Sequence, residues 1–341
     1  MLSAEQLRQF RRALLEWFTM RQRDLPWRHT RDPYAVWISE IMLQQTRVAA
    51  VIPYYHRFLA RFPDFKSLAE APEQELLACW SGLGYYQRAR NLQKAARQMK
   101  QAGAFPDNYS AIRALPGIGD YTAAAISSIS FHLPHAVLDG NVFRVLSRVF
   151  TDPANIASAA GKRHLSGIAE TVLDKAQPGM FNQGMMELGA TVCLPKNPQC
   201  VICPVSEWCR ARQSGTQSDF PVKIVSRKSV QEKRILFWVE RDGRILAWQR
   251  PPTSRLMPGF WELPEREQLP QADPVRKLGL FRHGITFHNY VFEVWAANVG
   301  NSVNGCEWID VSKLNHLPAS TVLKKAVRAV KSGEKQLCAF A

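Results

Sequence analysis

Residues 113–144, RALPGIGDYTAAAISSISFHLPHAVLDGNVFR, decide the fold of this chain. The stretch predicts a helix, a tight turn over residues 116–119, and a second helix that begins at residue 120 or 121. Gly117 and Gly119 permit a positive φ and the close approach of another backbone. The turn would then present N–H groups at a helix N-terminus, where a phosphate can bind.

An aspartate follows the second helix, in the apolar segment VLDGNV at residues 137–142. The glycine turn taken alone is a weak motif, because ordinary helix–helix connections contain it too. The turn together with Asp139 is more specific, and this pairing resembles the helix-hairpin-helix DNA glycosylases of the endonuclease III superfamily. The resemblance implies a mainly α fold in which Gly117 and Gly119 contact the DNA backbone.

The composition favours a partner that is a polyanion. Lys and Arg number 44 against 29 Asp and Glu, a formal net charge of +15, and the excess is spread along the 341 residues. A surface of that sign attracts nucleic acid. No apolar run approaches the ~18 residues needed to span a membrane, and the N-terminus lacks a signal-peptide pattern. We expect a cytoplasmic, bacterial, nucleoid-associated monomer with no membrane partner.

Composition and periodicity predict two domains. Helical patterns dominate the first part, a polar and basic stretch follows, and a smaller α+β domain opens with strand-like runs around the hairpin signal Asp242-Gly243. The predicted boundaries are 1–210 for the helical domain, 211–230 for the linker and 231–341 for the second domain. The helical domain is predicted to have two parts: a six-helix part at about 30–135, and a second part formed by residues 136–210 together with the N-terminal helix. Predicted helices include 34–50, 53–62 and 67–80.

Glu40 lies in an apolar helical pattern, with Trp37 and Leu43 one turn away on either side. A carboxyl group there has its charged form disfavoured and its pKa raised, which suits a general acid near neutral pH. A solvent-facing glutamate is the commoner outcome for such a position taken alone. The amides of Gln44 and Gln45 are poor core residues but good partners for base edges, and they favour a functional role.

Residues 82–90, GLGYYQRAR, combine glycines, paired tyrosines and two arginines. Such a loop can wedge into a duplex and hold phosphates. A helix N-terminus with a structural tyrosine pair explains this segment equally well when it is taken alone.

Four of the seven cysteines lie between residues 193 and 209, with the spacing C-x6-C-x2-C-x5-C. Thiolates so close together form one site for zinc or for a [4Fe–4S] cluster, and the spacing leaves both open. An odd cysteine count with one dense group argues against a secreted disulfide framework. The group resembles the iron–sulfur loop of the same glycosylases, which implies a [4Fe–4S] cluster held by Cys193, Cys200, Cys203 and Cys209.

The whole chain is similar to the MutY family of adenine DNA glycosylases, which remove adenine mispaired with 8-oxoguanine. The resemblance rests on the segments LPWR, WISEIMLQQT, GLGYY and LDGNV and on the cysteine loop. It implies a double-stranded DNA partner with an A:8-oxoguanine or A:G mismatch. By this resemblance, Glu40 would donate a proton and Asp139 would stabilise the oxocarbenium ion, with support from Tyr121 and Asn141. The residues implied to line the adenine pocket are Trp27, Arg28 and Gln183. The residues implied to wedge into the duplex are Gln45 and Tyr85.

Tyr121 distinguishes this chain from the bifunctional members of the superfamily. Those enzymes carry a nucleophilic lysine two residues past the second hairpin glycine, where this chain has Tyr121. A phenol cannot form a Schiff base with the sugar, so we predict a monofunctional base excision repair hydrolase that leaves an abasic site. Two alternatives stay open: a glycosylase for T or U opposite G, and a catalytically silent helix-hairpin-helix DNA-binding protein.

The second domain resembles the Nudix-like lesion-recognition domain of the same family. Residues 259–265, GFWELPE, match the start of a Nudix box, but Asp273 and Pro274 stand where the box requires Arg-Glu, so pyrophosphate hydrolysis is not expected. Many relatives read the lesion with a Phe-Ser-His segment, which is altered here. Thr286 and His288 are our candidate contacts to the lesion, although plain strand and turn structure explains them equally.

Overall fold

The computed structural model describes residues 2–224, 230–254, 257–285, 288–300, 305–315 and 317–338. The chain divides into two compact units. Unit 1 comprises Met1–Pro72 and Arg88–Val225, and unit 2 comprises Glu73–Gln87 and Ser226–Ala341. Within the described ranges, every helix is too short or too polar to cross a bilayer.

The helices begin at residues that favour helix starts. Ser3 and Gln6 form a capping box, and Asp32 caps the helix that opens with Pro33. The α-helices between residues 4 and 214 are Ala4–Arg21 (α1), Pro33–Leu43 (α2), Val48–Arg61 (α3), Phe65–Glu70 (α4), Glu73–Trp80 (α5), Gln87–Ala102 (α6), Tyr109–Ala114 (α7), Asp120–Phe131 (α8), Gly140–Phe150 (α9), Ala159–Val172 (α10), Pro178–Thr191 (α11) and Arg210–Ser214 (α12).

Helices α7 and α8 form the predicted hairpin. Gly117 has a φ of 81°, and a Cβ added there would lie 2.7 Å from Asn91 Cβ, so the turn requires glycine. Gly119 does not use the positive φ that glycine permits: its φ is −97°, because it is the extended N-cap of α8. A Cβ added at Gly119 would meet nothing within 4 Å, which leaves room for a ligand beside the helix N-terminus.

Two predicted helices are divided differently in the structure. The break expected before Pro53 lies instead at residues 44–47, and α3 runs through the proline. The segment QQT at residues 44–46 contains neither glycine nor proline, so no local signal marks this break. The helix predicted over residues 67–80 is interrupted at residues 71–72 because Pro72 disfavours a helical conformation in the residue before it.

Residues 211–224 belong to unit 1, although their polar composition predicts a linker. Arg148 is 2% exposed, and its Nε donates hydrogen bonds of 2.9 and 3.1 Å to the carbonyl oxygens of Gln217 and Phe220. The segment is therefore held by a buried cation that binds backbone oxygens. Hydrogen bonds from a distant arginine to backbone oxygens do not depend on the side chains of the segment, so its composition does not reveal them.

Unit 2 contains two small sheets and a C-terminal helix. Its elements are Val230–Trp238 (β1), Glu240–Arg241 (β2), Arg244–Gln249 (β3), Trp261–Glu262 (β4), Asp273–Ile285 (β5), His288–Asn298 (β6), Cys306–Asp310 (β7) and Thr321–Cys338 (α13), together with α5. One sheet has the order β1-β6-β5, with β1 parallel to β6. In the other, β3 pairs antiparallel with β2, β4 and β7.

The core of unit 2 includes apolar residues from both the strands and α13, among them Leu236, Ile245, Val294 and Leu323. The predicted hairpin turn is confirmed, since Asp242 and Gly243 have φ values of 51° and 71°. Strand β5 was not predicted. Its first five residues are exposed, so the first part of the strand lacks the alternation of buried and exposed positions that marks a half-buried strand.

Candidate active site

A cavity of about 380 Å³ opens in unit 1, lined by residues of α2, α8 and α11 and by the start of α9. It brings together eight of the residues singled out from the sequence: Trp27, Arg28, Glu40, Gln45, Tyr121, Asp139, Asn141 and Gln183. Two carboxyl groups beside amide and aromatic side chains in one cavity have the features of an active site.

Glu40 is a buried carboxyl group on α2. All residues from 34 to 42 are buried, and Glu40 is 6% exposed. Burial disfavours the charged form and raises the pKa of Glu40 to about 7; a hydrogen bond from Tyr121 acts in the opposite direction, and repulsion from Asp139 adds to the increase. Glu40 can therefore hold a proton at neutral pH.

Tyr121 lies in the first turn of α8 and interacts with two acceptors. Its Oη is 3.1 Å from Met186 Sδ, and it also hydrogen-bonds the Glu40 carboxyl group. One hydroxyl proton cannot serve both acceptors at once, and an ionised carboxylate is the stronger acceptor. Burial, helped by the charges of Glu40 and Asp139, raises the pKa of Tyr121 well above its usual range. The hydroxyl therefore remains a donor.

Asp139 is the N-cap of α9. Its Oδ1 accepts the backbone N–H groups of Asn141 and Val142 at 2.9 and 2.7 Å, and its Oδ2 accepts Asn141 Nδ2 at 2.9 Å. Burial raises the pKa of Asp139, while these donors stabilise the charged form and act against burial. Among the described residues, Tyr121 is the one donor found for Glu40, against three donors for Asp139, so the proton of this coupled pair resides on Glu40 and Asp139 is the ionised partner.

Glu187 of α11 binds two arginines at the wall of the cavity. Nη2 of Arg23 and Nη2 of Arg28 both donate to Oε2 at 2.7 Å, and the backbone N and Nε of Arg23 donate to Oε1 at 3.0 and 2.8 Å. Burial opposes the charge of Glu187, but these hydrogen bonds outweigh it and lower its pKa to about 2. The guanidinium of Arg28 also lies over the Phe18 ring, 5.2 Å from its centroid.

Glu187 and Arg23 are functional candidates that the sequence patterns did not predict. Glu187 stands in an apolar helical segment, FNQGMMELG, as Glu40 does in its own helix, so the same signal could have identified it. Arg23 carried no such signal, because its partner is 164 residues away in the chain.

Trp27, Gln183 and Gln45 also line the cavity, and their contacts and backbone conformations differ. The Trp27 ring meets the Tyr55 ring edge to face at 5.5 Å and is 8% exposed. Gln183 Nε2 lies 3.3 Å from the carbonyl oxygen of Gly179 in its own helix. Gln45 adopts a left-handed conformation with a φ of 57°, which is uncommon outside glycine.

Three predicted residues belong to unit 2. Tyr85 has a φ of 48° and is 59% exposed. His288 Nδ1 lies 2.5 Å from Glu232 Oε1, and the imidazole stacks on Tyr290 with ring centroids 5.7 Å apart. Thr286 lies outside the described residues.

The four cysteines of residues 193–209 line one small cavity and form no disulfide. Arg148 Nη1 lies 3.3 Å from Cys193 Sγ. Burial raises the pKa of the Cys203 thiol to about 12, and repulsion from the other three cysteines adds to this, so a bound cation is needed to hold Cys203 as a thiolate. Among the described residues, no three His, Cys, Asp or Glu side chains are close enough to share one ion. Four cysteine thiolates are the ligand set of a [4Fe–4S] cluster and of a structural zinc site alike.

Two family models match the chain. Residues 38–170 match the HhH-GPD superfamily base excision DNA repair proteins, and residues 193–209 match the iron-sulfur binding domain of endonuclease III. The predicted [4Fe–4S] cluster is thereby confirmed as the cofactor. Its four thiolate bonds would cross-link the loop that follows α11.

The chain is also similar to characterised proteins over most of its length. The adenine DNA glycosylases of Rattus norvegicus and Homo sapiens are each 34% identical to it, over 96% of this chain and 79% and 75% of theirs. A solved thermostable thymine-DNA glycosylase is 31% identical, with a TM-score of 0.56 over 62% of this chain and 98% of its own. An endonuclease III–DNA covalent intermediate, 23% identical, shares the fold, with a TM-score of 0.53 over 63% of this chain and 99% of its own. The chain belongs to the adenine DNA glycosylase family of base excision repair enzymes.

Proposed function

We propose that this glycosylase hydrolyses the N-glycosidic bond of adenine paired with 8-oxoguanine or guanine and leaves an abasic site in double-stranded DNA. The observation that carries the proposal is the unequal pair of carboxyl groups in one cavity, of which Glu40 is buried and Asp139 is half-buried. Glu40 holds a proton near neutral pH, whereas three N–H donors keep Asp139 ionised. Two carboxyl groups with opposed protonation states are what an acid-assisted glycosidic cleavage needs.

Glu40 donates its proton to the leaving adenine. The base departs with the bonding electrons, and protonation spares it a negative charge. The sugar is left with a positive charge, which the fixed carboxylate of Asp139 stabilises electrostatically. A water molecule then adds to the anomeric carbon and releases a proton, which returns to Glu40.

The adenine must leave the base stack to reach these groups, at a cost of about a few kcal/mol. Trp27, Arg28 and Gln183 line the same cavity and are our candidates for holding the flipped base. A planar aromatic ring suits stacking on a base, and a guanidinium and an amide suit hydrogen bonding to its edge. Glu187 orients Arg28 for this task without itself needing to contact the base.

The absence of an amine nucleophile supports a monofunctional reaction. Among the described residues that line the cavity there is no lysine. Tyr121 stands at the start of α8, and its raised pKa makes it a hydrogen-bond donor rather than a nucleophile.

Unit 2 is our candidate for a Nudix-like domain that contacts the strand opposite the adenine. Glu262, in the segment that matches a Nudix box, is bound by Arg250, with Nη2 and Oε2 2.7 Å apart. A carboxylate neutralised in this way is poorly suited to bind a metal for phosphate hydrolysis. Recognition is therefore the role that we assign to this unit.

Thymine opposite guanine is the second candidate substrate, because the similar thymine-DNA glycosylase structure is 31% identical to this chain. Arg28 and Gln183 favour adenine, since a purine offers them more hydrogen-bonding positions. The family is one of enzymes, so the hypothesis of a catalytically silent DNA-binding protein is set aside.

A panel of duplexes tests both substrate and reaction type. The enzyme is incubated with A:8-oxoguanine, A:G, T:G and U:G pairs, and each product is divided between neutral and alkaline treatment. We expect adenine release from the first two pairs and strand breaks only after alkali. Faster release of thymine or uracil than of adenine would show that adenine is not the preferred substrate. Strand breaks at neutral pH would contradict the monofunctional assignment.

A further inference from the structure

The guanidinium of Arg88 binds the C-terminal end of α2. Its Nη1 lies 2.8, 3.1 and 2.5 Å from the carbonyl oxygens of Ile41, Met42 and Gln44, which share its two N–H groups, and its Nη2 lies 3.4 Å from Thr46 Oγ1. The last carbonyl groups of a helix lack partners within the helix and carry partial negative charge. Arg88 supplies both hydrogen-bond donors and a positive charge to this helix end.

Local helix energetics do not explain the position of Arg88. It lies in the first turn of its own helix, α6, where the helix dipole disfavours a cation. Its contacts across 42 to 47 residues of sequence offset that cost. The arginine therefore acts on the end of α2 rather than on α6.

The segment that Arg88 holds enters the active-site cavity. Gln44, Gln45 and Thr46 all line that cavity. The φ of 57° at Gln45 is costly for a residue with a long side chain and persists only where surrounding contacts hold it. Arg88 binds the carbonyl oxygen immediately before Gln45 and the hydroxyl immediately after it.

We propose that Arg88 is a positioning residue that holds Gln45 ready to occupy the space in the duplex from which the adenine leaves. The inference rests on the proposed function, because it takes Gln45 to act on the DNA during base flipping. Arg88 itself contacts the protein backbone and contributes through Gln45.

Arg88→Lys tests the proposal on two substrates. Lysine keeps the charge but lacks the planar fork that reaches several acceptors at once. Single-turnover adenine removal from an A:G duplex is expected to fall about tenfold, the effect of losing one charge-assisted hydrogen bond. When adenine lies opposite an abasic-site analogue, the base has no pairing partner, flipping is easier, and the loss should shrink to about threefold or less.

Arg11→Lys is the matched control. Arg11 Nε and Nη2 donate to the carbonyl oxygens of Val172 and Thr171, each at 2.9 Å, at the end of α10. This change removes the same kind of helix-end contact in unit 1. It should lower Tm but reduce the rates of adenine removal from the two duplexes by the same factor. Arg88→Gln, which keeps a donor but no charge, gives the same comparison if the lysine variant is unstable.

A double-mutant cycle identifies the residue through which Arg88 acts. Once Gln45→Ala has removed the side chain, adding Arg88→Lys should reduce the rate on the A:G duplex by less than about twofold, because coupled residues are not additive. Equal losses on both substrates, or additive losses in the cycle, would overturn the positioning role. Failure of the unmodified enzyme to release adenine from either duplex would instead contradict the proposed function.

Discussion

Arg144 donates a hydrogen bond of 2.9 Å from Nη2 to Oδ1 of Asn141. Nδ2 of the same amide donates to Asp139 Oδ2 at 2.9 Å, and Arg144 Nε donates to the carbonyl oxygen of Cys193 at 2.7 Å. The amide of Asn141 therefore has one possible orientation, since its oxygen accepts and its nitrogen donates. The ionised carboxylate of the site is linked through two side chains to the first cysteine of the cluster loop.

Arg144→Met should slow adenine removal more than it weakens DNA binding. Without Arg144 the Asn141 amide can rotate, and Asp139 loses a fixed donor. The expected fall in the single-turnover rate is about tenfold, close to the free energy of one hydrogen bond to a charged group. Iron content and the affinity for a duplex that cannot be cleaved are measured beside the rate. A wild-type rate in a folded, iron-loaded variant would mean that Asp139 needs no support from Arg144.

Glu40→Gln should abolish base release while mismatch binding persists. The amide has nearly the same shape but cannot give a proton to the leaving base, and the loss of an acid typically costs about 10²–10⁴-fold. Binding is measured by titration with an A:8-oxoguanine duplex, and turnover by alkaline strand cleavage. Glu40→Asp is a useful companion, because it keeps the acid but moves it. Near-wild-type turnover of the glutamine variant would show that Glu40 is not the proton donor.

The rate of adenine removal should fall as the pH rises through about 7, the pKa of Glu40. The protonated form is the active one, so activity is present below that pKa and lost above it. In Tyr121→Phe the hydrogen bond that lowers this pKa disappears, so the decline should begin at a higher pH. Single-turnover rates measured over roughly two pH units on either side of this pKa locate the decline in both proteins, with the affinity for DNA followed in parallel. A shift of the decline to lower pH in the phenylalanine variant would contradict this electrostatic account.

Glu187→Gln should destabilise the protein at neutral pH. The change leaves Arg23 and Arg28 without their buried anionic partner, and breaking a buried ion pair costs about 3–5 kcal/mol. Because the pKa of Glu187 is lowered from 4.5 to about 2, its stabilising contribution is present above pH 4.5 and is lost as the pH falls toward 2. Urea unfolding should therefore show a smaller difference between the two proteins at about pH 3 than at about pH 7.

Glu16→Gln is the control for this comparison. Glu16 pairs with Arg12 at 2.7 Å on an exposed face of α1, so its loss should leave the free energy of unfolding unchanged within error. A difference for Glu187→Gln that does not depend on pH would argue that packing, rather than charge, explains the loss.

Local patterns predicted those parts of the molecule that depend on short stretches of sequence. The hairpin of α7 and α8 follows from its glycine turn, and Glu40 follows from an acid in an apolar helix. The left-handed Gln45 does not, because the contact that holds it comes from Arg88, more than forty residues later. Hydrogen bonds from arginines to distant carbonyl oxygens leave no periodic signal in a sequence. The attachment of residues 211–224 through Arg148 was hidden for the same reason.

His288 has a fixed place in unit 2. Its Nδ1 is bound to Glu232 Oε1 at 2.5 Å, and its ring stacks on Tyr290 with an interplanar angle of 15°. Tyr290 in turn lies under the guanidinium of Arg234, which pairs with Glu232 at 3.6 Å. An imidazole already fixed by these contacts loses little side-chain entropy when it takes part in recognition. These contacts make His288 our candidate for reading the base opposite the adenine.

His288→Ala should lower the preference for A:8-oxoguanine over A:G while adenine removal from A:G continues. The chemistry depends on Glu40 and Asp139 in unit 1, whereas the discrimination is assigned to unit 2. Loss of one hydrogen bond changes the ratio of the two rates by roughly up to tenfold. Lys277→Met is the matched control, because Lys277 pairs with Glu293 at 2.7 Å on the same antiparallel strand pair. If the ratio is the same in His288→Ala as in the unmodified enzyme, unit 1 alone distinguishes the two opposite bases, and the recognition role that we assign to His288 is wrong.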